Sequence, residues 1–142
     1  MNKMYLLDTN IVSEFSKERP NENVLALYEA RKDLCAISAV TWQELMFGVS
    51  KMPEGKRKTY IEKCLVEYKE DFEIIPYDEF SADICGQLSG SCAKSGKNLP
   101  CLDTQIAATA IANGMILVTR NTADFEEAAE RSFLKLENWF TA

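Results

Sequence analysis

Short apolar runs alternate with longer stretches in which apolar residues recur every three or four positions. Met4-Tyr5-Leu6-Leu7 ends at Asp8-Thr9-Asn10, a buried strand followed by a helix-start signal. Ile11, Val12 and Phe15 then fall at helical spacing, and Pro20 and Asn21 open a second helix striped by Val24, Leu25, Leu27 and Tyr28. Leu34-Cys35-Ala36-Ile37 reads as a second strand, and Ser38 is placed to cap the next helix, whose apolar face is Trp42, Leu45, Met46 and Val49. A long helix from about Pro53 to Phe72 and a strand at Ile74-Ile75 follow. Residues 79–93 read as helical, with Gly86 and Gly90 each costing roughly 1 kcal/mol relative to Ala. Pro100 and Gly114 bracket a helix rich in small residues, Leu102 to Ala110, suited to close packing on a sheet. Met115-Ile116-Leu117-Val118-Thr119 is apolar throughout, as expected of a strand covered on both faces. A short helix near 124–130 and a strand near Phe133–Leu136 complete the pattern. Strands alternating with helices predict an α/β fold: three layers, α/β/α, around a mostly parallel sheet.

The 142 residues, 46% hydrophobic and 27% charged, carry no repeat or Pro/Gly-rich linker, so residues 1–142 are expected to form a single domain. No apolar run approaches the ~18 residues of a membrane span. Asp8 interrupts the first apolar run too early for a signal-peptide core. Five cysteines (35, 64, 85, 92 and 101) lack C-x-x-C spacing, and histidine is absent. This argues against a disulfide framework, a Cys/His zinc site and any imidazole base, and it predicts free thiols in a reducing cytoplasm.

Charge alters the picture in one respect. The formal net charge of −6 disfavours a general affinity for phosphates, and it suits either a solvated acidic face or a carboxylate cluster that gathers divalent cations. It is also unevenly distributed: Lys51, Lys56, Arg57, Lys58 and Lys63 precede Glu67, Glu70, Asp71, Glu73, Asp78 and Glu79.

Ligands of open α/β sheets bind beyond the carboxyl ends of the strands. Asp8 ends the first strand, and Asp124 lies five residues beyond Thr119. Asp103 occupies the first turn of the helix that leads into the 115–119 strand, and Glu44 the early turns of the helix after the second strand. All four point to one rim. Taken singly, Asp8 and Asp124 also suit helix N-caps, Asp103 a helix dipole and Glu44 a solvated face. Taken together they form a costly cluster, because carboxylates within about 4–6 Å repel one another unless a cation intervenes. An all-oxygen donor set favours Mg²⁺ or Mn²⁺, which retains waters able to attack phosphorus without a histidine. Asn10, Thr119 and Asn121 lie near the same rim as polar support, or equally as turn residues.

Four stretches resemble, in order, the motif blocks of PIN-domain proteins, and most closely those of VapC-type toxins of prokaryotic toxin–antitoxin pairs. They are Leu6-Leu7-Asp8-Thr9-Asn10-Ile11-Val12-Ser13, Ser38-Ala39-Val40-Thr41-Trp42-Gln43-Glu44-Leu45, Leu102 to Ala110, and Leu117-Val118-Thr119-Arg120-Asn121-Thr122-Ala123-Asp124-Phe125. The resemblance implies an Mg²⁺- or Mn²⁺-dependent endoribonuclease with Asp8, Glu44, Asp103 and Asp124 as catalytic and metal-binding acids. It also implies an RNA substrate, a cognate antitoxin partner, a toxin homodimer, and contact with DNA only through the antitoxin. Arg120, Lys56, Arg57 and Lys58 are candidate RNA contacts. The α-helical stripes at Val24–Tyr28 and at Leu65, Val66 and Tyr68 are candidate partner surfaces that would by default pack into the core.

Three other readings start from the same residues. A non-catalytic PIN-like domain would bind RNA or a partner without cutting. A Mg²⁺-dependent phosphatase of the haloacid-dehalogenase kind needs a second Asp two residues after the first, where Asn10 stands. A receiver-like domain needs an acidic pair and a late Lys, where Leu7 precedes Asp8 and Arg120 follows Thr119.

Overall fold

The apolar runs at residues 5–7, 35–38 and 116–118 form the inner strands of a sheet in a computed structural model that describes residues 2–141. In chain order the elements are β1 (Tyr5–Leu7), α1 (Thr9–Glu14), α2 (Glu22–Arg31), β2 (Cys35–Ser38), α3 (Ala39–Ser50), α4 (Lys56–Asp71) and β3 (Glu73–Ile75). They continue with α5 (Glu79–Lys94), α6 (Cys101–Ala112), β4 (Ile116–Val118), α7 (Glu126–Glu130) and β5 (Lys135–Glu137). The five strands run parallel in the order β3-β2-β1-β4-β5. From the central β1 the chain builds outward to β2 and β3, then returns to build β4 and β5 on the other side. The order therefore reverses between β1 and β4, which opens a crevice at their carboxyl ends.

Because strand side chains alternate between faces, each strand feeds two cores. Tyr5, Leu7, Cys35, Ile37 and Val118 pack under α1 to α4, with Ile11, Val24, Leu45, Leu65 and Trp139. Leu6, Ala36 and Leu117 face the opposite layer, with Leu88, Ile106, Ala107, Ala110 and Phe125. The small residues of α6 are the means by which that helix lies close on the sheet: Ala107, Ala108 and Ala110 are fully buried. The three-layer α/β/α expectation therefore holds. Among the described residues no helix is long and apolar enough to cross a membrane.

The structure refines several boundaries. Residues 32–34 form a 3₁₀ turn, so β2 begins at Cys35 rather than Leu34. The expected 124–130 helix divides into a 3₁₀ turn (Thr122–Phe125) and α7. The last strand lies at Lys135–Glu137, where it pairs with β4, and Phe133 stays in solvent at 94% exposure. Ser38 caps α3 as expected, accepting the Thr41 N–H at 2.9 Å. Pro100 sits one residue before α6, where its carbonyl receives Thr104. Gly114 takes the positive φ of 63° that ends the helix. Gly86 and Gly90 leave α5 unbroken, since its packing against α6 outweighs their propensity cost. Of the α2 stripe, Val24 is core and Leu27 and Tyr28 pack against it; on α4, Val66 remains 63% exposed.

Candidate active site

Asp8 is the first residue beyond β1 and is only 5% exposed. Its backbone N–H still donates to Val118 of β4, at 2.9 Å, so the aspartate starts in the crevice between the two strands. Each of its oxygens is then fixed. Oδ1 accepts the Thr9 N–H at 2.8 Å and so caps α1. Oδ2 accepts the Thr119 hydroxyl at 2.8 Å and the Asn10 amide at 3.1 Å. Thr119 is fully buried at the carboxyl end of β4, and its Oγ1 also receives the Asn121 N–H at 3.1 Å. Asn10 completes the link, accepting the Arg120 N–H at 3.0 Å. The ends of two strands more than a hundred residues apart are tied through a single carboxylate.

Glu44 projects from the second turn of α3. Its Oε1 accepts the Thr9 hydroxyl at 2.6 Å, so one threonine serves two acids: its N–H holds Asp8 and its side chain holds Glu44. Asp103 lies in the first turn of α6. Asp8, Glu44 and Asp103 line one cavity of about 400 Å³ with Thr9, Asn10, Asn121, Arg120 and Phe140. Asp124 is not among its lining residues. It sits exposed in the 3₁₀ turn after β4, near enough to Asp103 to act on its ionisation. Asp124 caps no helix with its side chain.

The electrostatics follow from this crowding. Burial pushes the Asp8 carboxyl above its usual range and the nearby Glu44 adds to it, against the lowering by Thr119, Thr9 and Asn10. Asp103 is raised as well, by burial first and then by the charges of Asp8 and Asp124. An all-oxygen set whose members repel one another suits a hard dication. Among the described residues, though, no three carboxylates or thiols draw close enough to form a ligand set by themselves. The arrangement is looser than a cage of four converging acids: Asp8, Glu44 and Asp103 share the lining and Asp124 stands outside it. The lining is compatible with a divalent cation held through one or two carboxylates.

The other candidates separate. Arg120 lines the acidic cavity, and Arg57 lines an adjoining cleft that shares Thr9, Ser13, Lys17 and Glu44 with it. Lys58 is paired with Glu54 at 2.8 Å, and Lys56 lines a different depression with Tyr60 and Lys63. Five lining residues were not among the candidates read from the sequence: Thr9, Ser13, Glu14, Lys17 and Phe140. Thr9 lies inside the first motif block. Glu14 and Lys17 are legible as an i, i+3 pair, but the burial of Glu14 is not. Nothing in the local sequence signals Phe140.

Comparison with known proteins decides the family. The PIN domain profile matches residues 5–131. This chain belongs to the PIN domain family. It is 37% identical to the VapC ribonuclease Y4jK of Sinorhizobium fredii over 129 residues, 88% of this chain and 92% of that protein. It is 35% identical to Toxin FitB of Neisseria gonorrhoeae, over 86% and 91% of the two chains. The FitAcB crystal structure from N. gonorrhoeae superposes on this PIN domain with a TM-score of 0.87 at 32% identity, covering 98% of this chain and 100% of that one. A toxin-antitoxin complex from Klebsiella pneumoniae superposes at 0.67 and 30% identity, over 86% and 90%.

Proposed function

We propose that this PIN-domain chain is a metal-dependent endoribonuclease that acts as the toxin of a toxin–antitoxin pair. The observation that carries the reading is the shared cavity of Asp8, Glu44 and Asp103 at the strand-order reversal, with Asp8 tied to Thr119 and Asn10. The ribonuclease and toxin names of its relatives support the same conclusion.

Asp8 and Asp103, with Glu44 and Asp124 beside them, are the residues we assign to hold Mg²⁺ or Mn²⁺. When bound, such an ion supplies Lewis acidity toward the phosphodiester and acidifies water at neutral pH. The chain's own contribution is orientation. Thr119 and Asn10 fix the Oδ2 of Asp8, and Thr9 fixes one oxygen of Glu44. The second Glu44 oxygen is the acceptor we assign to orienting the attacking water. Asn121, anchored through its N–H on Thr119, lines the cavity as a polar contact for a phosphate. Asn10 accepts one N–H and donates to Asp8, so the position holds no general acid of the phosphatase kind.

The partners belong to the same reading: an RNA substrate, a cognate antitoxin, a second toxin copy, and DNA reached through the antitoxin. The Klebsiella toxin-antitoxin complex supports the antitoxin among them. Five free cysteines, three of them buried, support a reducing cytoplasmic setting. The test is antitoxin-free protein incubated with total cellular RNA, in Mg²⁺ or in excess chelator. Discrete metal-dependent fragments, lost in folded Asp8→Ala and Asp103→Ala proteins, are expected. RNA bound but left intact in Mg²⁺ and in Mn²⁺ would establish the non-catalytic reading instead.

A further inference from the structure

The acidic cavity has two cations in its lining, Lys17 and Arg120, and the hydrolytic reading uses neither. Lys17 follows α1 and places its Nζ 2.8 Å from Oε1 of Glu14. Glu14 is a fixed, buried anchor: it is 4% exposed, and its other oxygen accepts the Asn21 N–H at 2.8 Å. One carboxylate engages only part of a three-donor ammonium, so the half-exposed Lys17 keeps donors for a second oxyanion.

Arg120 is held differently. Its N–H donates to Asn10, its carbonyl accepts the Asn138 amide at 3.5 Å, and its guanidinium carbon lies 4.6 Å from the centre of the Phe140 ring. Phe140 is itself fastened, its N–H donating to the Asn138 side chain at 2.8 Å. No carboxylate lies within ion-pair distance of Arg120 among the described residues. A guanidinium seated over a ring, with its donor fork unpaired, is pre-organised for the oxygens of a phosphate.

The need for such contacts is plain from charge. The cavity is lined by Asp8, Glu14, Glu44 and Asp103, in a chain of net charge −6, and RNA is a polyanion. Affinity for it must come from cations next to the acids. Resting on the endoribonuclease reading, we propose that Lys17 and the Arg120–Phe140 pair form a clamp for the RNA backbone. It grips backbone phosphates beside the acids, with Glu14 and Phe140 as the positioning residues behind the two cations.

The test is binding of a fluorescein-labelled unstructured RNA across a KCl series, in Mg²⁺ and in an Asp103→Asn background so that nothing is cut. Lys17→Gln and Arg120→Gln should each weaken binding about tenfold near 0.1 M salt. Each should also flatten the slope of log Kd against log[KCl] by about 0.7, one single-strand phosphate contact. Lys17→Arg should restore the slope. Phe140→Leu should weaken binding about threefold while leaving the slope unchanged, since the charge survives and only its seat is lost. Thermal melts confirm that each variant is folded. Unchanged slopes in both charge-removal variants overturn the clamp, and so does an RNA that fails to bind the background protein. Cleavage by the unaltered chain alongside unchanged slopes would discard the clamp and leave the nuclease standing; slope losses without cleavage would do the reverse.

Discussion

The Thr119 hydroxyl lies 2.8 Å from Oδ2 of Asp8, and the two residues are 111 positions apart in sequence. The bond joins the carboxyl ends of β1 and β4 at the strand-order reversal. It is fully buried and charge-assisted, the kind whose loss leaves a carboxylate short of a partner. Thr119→Val keeps the shape and removes the donor. We expect a loss of about 1–3 kcal/mol in urea unfolding. The Asp8 carboxyl should also rise further, because the largest of its lowering influences is gone. An NMR titration of that carboxyl checks the second part; no upward movement would show that Asn10 and Thr9 hold it unaided.

A second prediction concerns Thr9, whose backbone serves Asp8 and whose hydroxyl serves Glu44. Thr9→Val leaves the backbone contact intact and frees Glu44. On the proposed mechanism, RNA cleavage should fall about tenfold in kcat, the lower range for a group that orients a proton acceptor, with KM nearly constant. A change in KM alone would move Glu44 from water orientation to RNA binding.

How much of this was legible beforehand depends on the range of the contact. The strands at residues 5–7, 35–38 and 116–118 announce themselves because burial on both faces keeps charge out of them, and their one polar residue, Ser38, stands at the end of β2. Asp8 and Ser38 follow at once, since each closes an apolar run and opens a helical one. The relation of Arg120 to Phe140 carries no such local sign: it joins the end of β4 to an irregular turn beyond β5, and only the tertiary fold brings the ring beneath the guanidinium. Lys56 and Lys58 show the converse. A cluster in sequence scatters around a helix, so Lys56 and Lys58 on α4 end in different depressions.

Glu14 supplies a pH prediction. Burial works to raise its carboxyl, but the Lys17 ammonium and the Asn21 N–H outweigh it and hold the group below the ordinary 4.5. A folded-state pKa below the unfolded one stabilises the native state above the unfolded value, and that stability is lost as pH falls through the folded value. Glu14→Gln should therefore be less stable than the parent at pH 7, with the gap closing as pH drops from about 4.5. Urea midpoints measured from pH 7 to pH 3 give the curve; a gap independent of pH would mean that packing, not charge, accounts for Glu14.

Asp103 runs the other way. Burial and the charges of Asp8 and Asp124 hold its carboxyl above 3.8, so the ionised form is disfavoured in the folded chain. The penalty is absent below the unfolded pKa and complete once pH exceeds the raised folded value. In excess chelator at pH 7, Asp103→Asn should thus melt at a higher temperature than the parent, with the advantage vanishing below about pH 3.8. Divalent cation should reverse the order. At a hundredfold excess over its Kd, Mg²⁺ adds about 2.7 kcal/mol to a protein that binds it only when folded. The parent should gain that increment and Asp103→Asn should lose most of it. Melting curves of the two proteins, with and without Mg²⁺, separate the cases: a variant stabilised by Mg²⁺ as strongly as the parent would remove Asp103 from the metal set while leaving its repulsion by Asp8 intact.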